Sequence, residues 1–200
     1  MPIPLPGSHA PNFQIDVLTP TLSFEKRQLS DYKGKYLVIV FYPLDFAFVC
    51  PSEIIHFSEA SAQLKIHTCD IIIGSCDSQY THFAWSLQEQ SEGGIGVCKC
   101  DIFADKSTKM SQDFGVLTEG QGKALRGIFI ISDTGIVRSV TVNDFQVGRS
   151  VEECLRLVQA FQYADKTGAG VPCGWSPEKP DEVVKGTIEE KKEFYKRNFD

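Results

Sequence analysis

Phe41-Tyr-Pro-Leu-Asp-Phe-Ala-Phe-Val-Cys-Pro-Ser-Glu-Ile-Ile55 decides how the chain is read. The run that leads into it, Tyr36–Tyr42, is continuously apolar and rich in β-branched residues. That pattern predicts a strand buried on both faces. Pro43 makes a turn, an aromatic stretch follows, and Pro51 opens an amphipathic pattern over Ser52–Ile66. Pro51 suits the first helical position, because its missing N–H would have no intrahelical partner there. Cys50 then falls at or beside the N-cap, where free N–H groups and the positive end of the helix dipole face it. Such a place favours thiolate over thiol, and the thiolate is the nucleophile. The segment therefore reads as strand, loop, reactive cysteine and helix. The bland alternative is a small buried core residue.

Upstream, Phe13–Leu18 and Leu22–Phe24 read as short strands around Thr19-Pro20-Thr21. Downstream, Asp70–Gly74 is a second fully apolar strand, and Gln79–Gln90 reads as a helix anchored by Phe83, Trp85 and Leu87. A glycine-rich loop, Ser91–Gly96, precedes a short strand at Ile102 and a helix over Thr108–Phe114. Gly127–Ser132 and Ile136–Val142 form a hairpin about Asp133-Thr-Gly135. Ser150-Val-Glu-Glu153 matches a capping box and opens a helix reaching about Ala164. Lys166–Pro180 is loop by its glycines and prolines, and Thr187–Phe199 is a charged helical tail. Strands alternating with helices, then a hairpin and a last helix, predict an α/β fold with a mixed central β-sheet flanked by helices. The domain boundary is expected at 165/166, with 166–200 as a C-terminal extension.

The 200 residues suit one domain with a tail, and 42% hydrophobic residues give a sizeable core. A net charge of −6 speaks against nucleic acid as a partner. No apolar run is long enough to span a membrane. The start, Met1-Pro-Ile-Pro-Leu-Pro-Gly7, lacks the basic and apolar regions of an export signal, which predicts a cytoplasmic location. The seven cysteines are then expected as mostly reduced thiols. Cys98-Lys-Cys100 is a poor match to zinc-ligand spacing, so no metal site is expected. Cys69, Cys76 and Cys154 read as inert core thiols, and the four histidines as surface or satisfied groups.

The Phe41–Ile54 run resembles the peroxidatic segment of the typical 2-Cys peroxiredoxins. Asp77-Ser-Gln-Tyr-Thr-His-Phe-Ala-Trp85, Leu125-Arg-Gly-Ile-Phe-Ile-Ile131, Thr141–Glu153 and Leu155–Tyr163 resemble further segments of that family, in order along nearly the whole chain. The resemblance implies a thioredoxin-like fold and reduction of hydrogen peroxide and organic hydroperoxides. Cys50 matches the peroxidatic cysteine, in a loop with Val49, and Pro43 the proline that shields it. Arg126 matches the arginine that stabilises the thiolate and holds the peroxide. Glu53 and Arg149 match the pair that orients that arginine. By itself Arg126 would read as a solvated strand-end charge.

Two positions depart from the family pattern. Ala47 stands where the family has a threonine or serine, whose hydroxyl bonds the thiolate. Loss of one charge-assisted hydrogen bond costs roughly 1.5–3 kcal/mol, about ten- to a hundredfold or more in rate if all of it falls in the transition state. Val171-Pro-Cys-Gly-Trp-Ser-Pro177 carries the resolving candidate, Cys173, with the family's Cys-Pro order reversed and one residue missing. The Gly93-Gly-Ile-Gly96 loop and Phe194-Tyr195 also resemble family features that pack over the active site, the aromatic order again reversed.

The resemblance implies that Cys50 becomes a sulfenic acid, that Cys173 of a second subunit condenses with it, and that a thioredoxin-like reductant restores both thiols. It implies an antiparallel homodimer, often assembled into a ring of five dimers, and no cofactor. A second reading is a redox-responsive chaperone or signalling member with impaired peroxidase activity, motivated by Ala47. A disulfide reductase is a weaker third, because Cys-x-x-Cys is missing.

Overall fold

The structure is a computed structural model that describes residues 2–180, 182–184 and 186–199. Its strands are β1 (Gln14–Leu18), β2 (Phe24–Gln28), β3 (Tyr36–Phe41), β4 (Cys69–Ser75), β5 (Asp101–Ala104), β6 (Arg126–Ile131) and β7 (Val137–Asn143). Its α-helices are α1 (Cys50–Ile66), α2 (Gln79–Ser86), α3 (Lys109–Asp113), α4 (Val151–Thr167) and α5 (Ile188–Phe199). The chain packs as two compact units, residues 1–151 and 152–200.

In the first unit the seven strands form one mixed sheet in the order β2-β1-β5-β4-β3-β6-β7. β3 pairs parallel with β4 and antiparallel with β6, and β4 pairs parallel with β5. This is the α/β, thioredoxin-like arrangement expected. β3 and β6 are buried along their whole length, as the apolar run of β3 and that of β6 beyond Arg126 require. α1 packs on β4, and α2 packs on β1 and β5.

The core is aromatic where β3 ends. The Phe41 ring lies 5.1, 5.4 and 5.8 Å from those of Phe103, Phe114 and Phe129. Three rings on the residue that precedes Tyr42-Pro43 fix where the cysteine loop leaves the sheet. Gly74 lets β5 come close, since a Cβ there would sit 2.1 Å from the Phe103 carbonyl oxygen.

Several boundaries differ from the sequence reading. The second strand is Phe24–Gln28, not Leu22–Phe24. Leu22 is in a left-handed turn at φ 60°, closed by its N–H to the Thr19 carbonyl. The strand itself is Phe-Glu-Lys-Arg-Gln, an exposed edge whose charges discourage pairing with other chains and also hide its strand character. α2 ends at Ser86, so Leu87 is exposed rather than an anchor, whereas Trp85 is fully buried. α1 starts at Cys50, two residues before the amphipathic pattern.

In the second unit Trp175 is the centre of a small core with Ala160, Ala169 and Val183. The Tyr163 ring lies 5.6 Å from it, and the Arg156 guanidinium donates to its carbonyl at 3.1 Å. Among the described residues, no helix is long and apolar enough to cross a membrane.

Candidate active site

Cys50 is the first residue of α1, with Val49 as N-cap at φ −92° and ψ −34°. No side chain caps this end, so none competes for the leading N–H groups. The Ser52 hydroxyl, two residues on, donates to the Val49 carbonyl at 2.7 Å. Cys50 is 0% exposed.

The antiparallel pairing of β3 with β6 sets Val40 opposite Ile128, which carries the end of β3 to the start of β6. Arg126, the first residue of β6, thereby reaches the loop that follows β3. It is not the solvated strand-end charge that its type suggests, being only 3% exposed. Its Nη1 donates to Cys50 Sγ at 3.5 Å and to Glu53 Oε2, and its Nε donates to the Phe145 carbonyl at 2.8 Å. The other oxygen of Glu53 accepts from Arg149 Nε at 2.7 Å and from the Arg149 backbone N–H at 2.9 Å. Arg149 Nη1 donates to the Gly127 carbonyl at 2.7 Å, while Nη2 is buried with no hydrogen-bond partner. Burial pulls the pKa of Arg149 down from its ordinary value, and the Glu53 carboxylate opposes that. One carboxylate between two guanidinium groups leaves one positive charge in excess, beside a sulfur. That balance suits a thiolate and a developing oxyanion.

The family model for the AhpC/TSA family matches residues 6–140. The chain belongs to the peroxiredoxins. It is 47% identical over 191 residues to a peroxiredoxin of Cynops pyrrhogaster, covering 96% of this chain and 94% of that one. It is 46% identical over 192 residues to peroxiredoxin-2 of Bos taurus, covering 96% and 95%. Among solved structures it resembles the reduced 2-Cys peroxiredoxin of Plasmodium vivax, with a TM-score of 0.83, 37% identity, and 85% and 88% of the two chains covered. Enterococcus faecalis AhpC gives a TM-score of 0.79 at 34% identity, over 85% and 99%. The chain is of the typical 2-Cys type, within a family of thioredoxin-dependent peroxidases.

Around the peroxiredoxin cysteine, Pro43 is buried and Ala47 half-buried. Among the described residues, Arg126 is the hydrogen-bond donor to the Cys50 sulfur, and no hydroxyl stands in for the one that Ala47 lacks. The sequence reading missed the brace of this loop. Asp45 accepts from the Tyr42 hydroxyl at 2.6 Å and bonds His82 Nδ1 at 2.7 Å. The same His82 ring bonds the Phe103 carbonyl at 3.0 Å through Nε2. The Asp45 N–H donates to Asp77 at 2.9 Å. All of Tyr42, Asp45 and His82 are buried. Asp45 and His82 lie far apart in sequence, with no spacing that links them.

Cys173, in the second unit, is exposed. The other five thiols (Cys69, Cys76, Cys98, Cys100 and Cys154) are buried. Burial pushes the Cys98 thiol up to about 12 and raises Cys76 and Cys100 as well.

Proposed function

We propose that this chain reduces hydrogen peroxide and organic hydroperoxides through Cys50. The observation that carries the reading is the sulfur at the start of α1 facing Arg126, which Glu53 and the Phe145 carbonyl hold in place. The Cys50 thiolate attacks one peroxide oxygen, the O–O bond breaks, and the departing alkoxide or hydroxide leaves as alcohol or water with one proton. Cys50 becomes a sulfenic acid. Arg126 compensates the charge that moves from sulfur to the leaving oxygen. Arg149 Nη2, a buried donor without an acceptor, is suited to the second peroxide oxygen.

Cys173 of a second subunit then condenses with the sulfenic acid, releasing water and forming an intersubunit disulfide. A disulfide needs Cα atoms within about 7 Å, and Cys50 is fully buried, so the first turn of α1 has to open for this step. A thioredoxin-like dithiol restores both thiols and is itself oxidised. The chain is read as a homodimer, often assembled into a ring of five, with residues 166–200 as the extension that carries Cys173. A cytoplasmic setting belongs to this reading, since a dithiol reductant requires a reducing compartment.

The test is one equivalent of hydrogen peroxide on reduced protein, followed by a non-reducing gel, beside Cys50→Ser and Cys173→Ser. The expected result is a linked dimer within seconds that both variants abolish. A Cys50 that stays a thiol overturns the peroxidase reading. Ala47, with Ser52 engaged elsewhere, favours as the second reading a redox-responsive chaperone with slow turnover. Suppression of client aggregation without peroxide consumption would select it.

A further inference from the structure

We propose that Arg156 is a positioning residue for the resolving step: through the Trp175 carbonyl it holds the turn that presents the Cys173 sulfur. The proposal rests on the reading of Cys173 as the resolving thiol, and it concerns where that sulfur waits rather than how Cys50 is oxidised.

Cys173 is the second residue of a four-residue turn, which the Trp175 N–H closes by donating to the Pro172 carbonyl at 3.2 Å. Gly174, the third residue, is at φ 75°, the left-handed conformation that a type II turn requires at that place. A Cβ on Gly174 would meet nothing within 4 Å, so backbone conformation rather than space calls for glycine there. The order Pro172-Cys-Gly-Trp175, reversed against the family's Cys-Pro, thus sets the cysteine at the corner of a tight turn, where it is exposed.

The far end of the turn is fixed at every polar group of Trp175. Its N–H closes the turn, its Nε1 donates to the Pro180 carbonyl at 3.4 Å, and its carbonyl accepts from Arg156 Nη1 at 3.1 Å. The ring is 2% exposed, in the small core of the second unit. Arg156 is itself held: its Nε and Nη2 donate to the two oxygens of Glu153, one turn back along α4, at 2.6 and 2.8 Å. That fork leaves Nη1 for the carbonyl, and a planar guanidinium can serve both partners at once. The contacts Glu153–Arg156–Trp175 therefore tie the turn to a 17-residue helix, and Cys173 stands two residues from the tie.

In the condensation the Cys173 sulfur bonds to the sulfenic sulfur, the S–O bond breaks, and hydroxide leaves as water with the proton of the thiol. Arg156 acts on none of these atoms. Its part is to keep the attacking sulfur from being spread over many loop conformations, which would lower its effective concentration.

The test separates the two steps in a single turnover. Reduced protein is mixed with one equivalent of hydrogen peroxide, and quenched samples are read for Cys50 sulfenic acid by a dimedone trap and for the linked dimer on a non-reducing gel. Arg156→Met keeps an apolar stem and removes the donor. It is expected to form sulfenic acid at the wild-type rate and the linked dimer about tenfold more slowly. Arg156→Lys, which returns a single charged donor, is expected to fall between the two. Gly174→Ala strains the same turn without touching α4 and is expected to slow the dimer alone, so the result does not hang on the folding of one variant. A linked dimer that forms at the wild-type rate in Arg156→Met, a lysine variant no faster than the methionine one, or an equal slowing of both steps overturns the proposal. A wild-type protein in which Cys50 never becomes a sulfenic acid is a different failure, that of the peroxidase reading itself.

Discussion

At Ala47 a single methyl faces the question of rate. Arg126 supplies one charged hydrogen bond to the sulfur, and Ser52 is turned away to the Val49 carbonyl. Ala47→Thr is therefore expected to return a hydroxyl to the loop and speed peroxide consumption by about ten- to a hundredfold, from roughly 1.5–3 kcal/mol. Stopped-flow mixing of reduced protein with hydrogen peroxide checks it, and an unchanged rate would mean that the hydroxyl is dispensable here. The buried thiols give a second expectation at this scale. With its thiol raised to about 12, Cys98 should resist iodoacetamide at pH 7.5, where exposed Cys173 reacts. Labelling of Cys98 should still be climbing at pH 10, as read by peptide mass spectrometry.

The loop that holds Cys50 is braced as an element. Asp45 is tied to Tyr42 and His82, and His82 in turn to the backbone of β5. Asp45→Ala leaves the His82 Nδ1 and the Tyr42 hydroxyl without that buried partner, and an unmet buried polar group costs about 1–3 kcal/mol. Urea unfolding should show the loss. How legible each element is follows from what its residues must satisfy. β3 and β6 are buried on both faces, so their apolar runs declare them. β2 is a charged edge, and its strand is defined by pairing with β1 rather than by its own pattern. The Arg126–Glu53–Arg149 cluster could be placed through resemblance, because Glu53 and Arg149 stand 96 residues apart. The Asp45–His82 brace, equally long-range, went unread: neither residue type nor spacing marks a contact that only the folded sheet creates.

At the scale of the whole molecule, the pH dependence of stability has a definite sign. Cys76, Cys98 and Cys100 have thiol pKa values raised by burial, so the unfolded chain ionises them first. Above the unfolded value, near 8.5, the unfolded state binds fewer protons and stability falls as pH rises, until the folded thiols ionise too. Each contributes up to about 1.4 kcal/mol per pH unit in that window. Cys98→Ala should flatten the fall in urea midpoint between pH 8.5 and 11. The two tryptophans report separately on the two compact units, Trp85 in the first and Trp175 in the second. The second unit has the smaller core, so in single-tryptophan variants Trp175 fluorescence should change at lower denaturant than Trp85. Coincident transitions would show that the units unfold together.

Glu53 is one turn along the same helix from Cys50, and both guanidinium groups hang from its two oxygens. Unwinding that turn to present the sulfur elsewhere also withdraws the carboxylate, and the arginines lose their common anchor. If peroxide reduction proceeds as proposed, capture of an oxidant and hand-over of the oxidised sulfur draw on different states of one helical turn. On that proposal the subunit alternates between a folded turn that takes up peroxide and an opened turn that yields the sulfur.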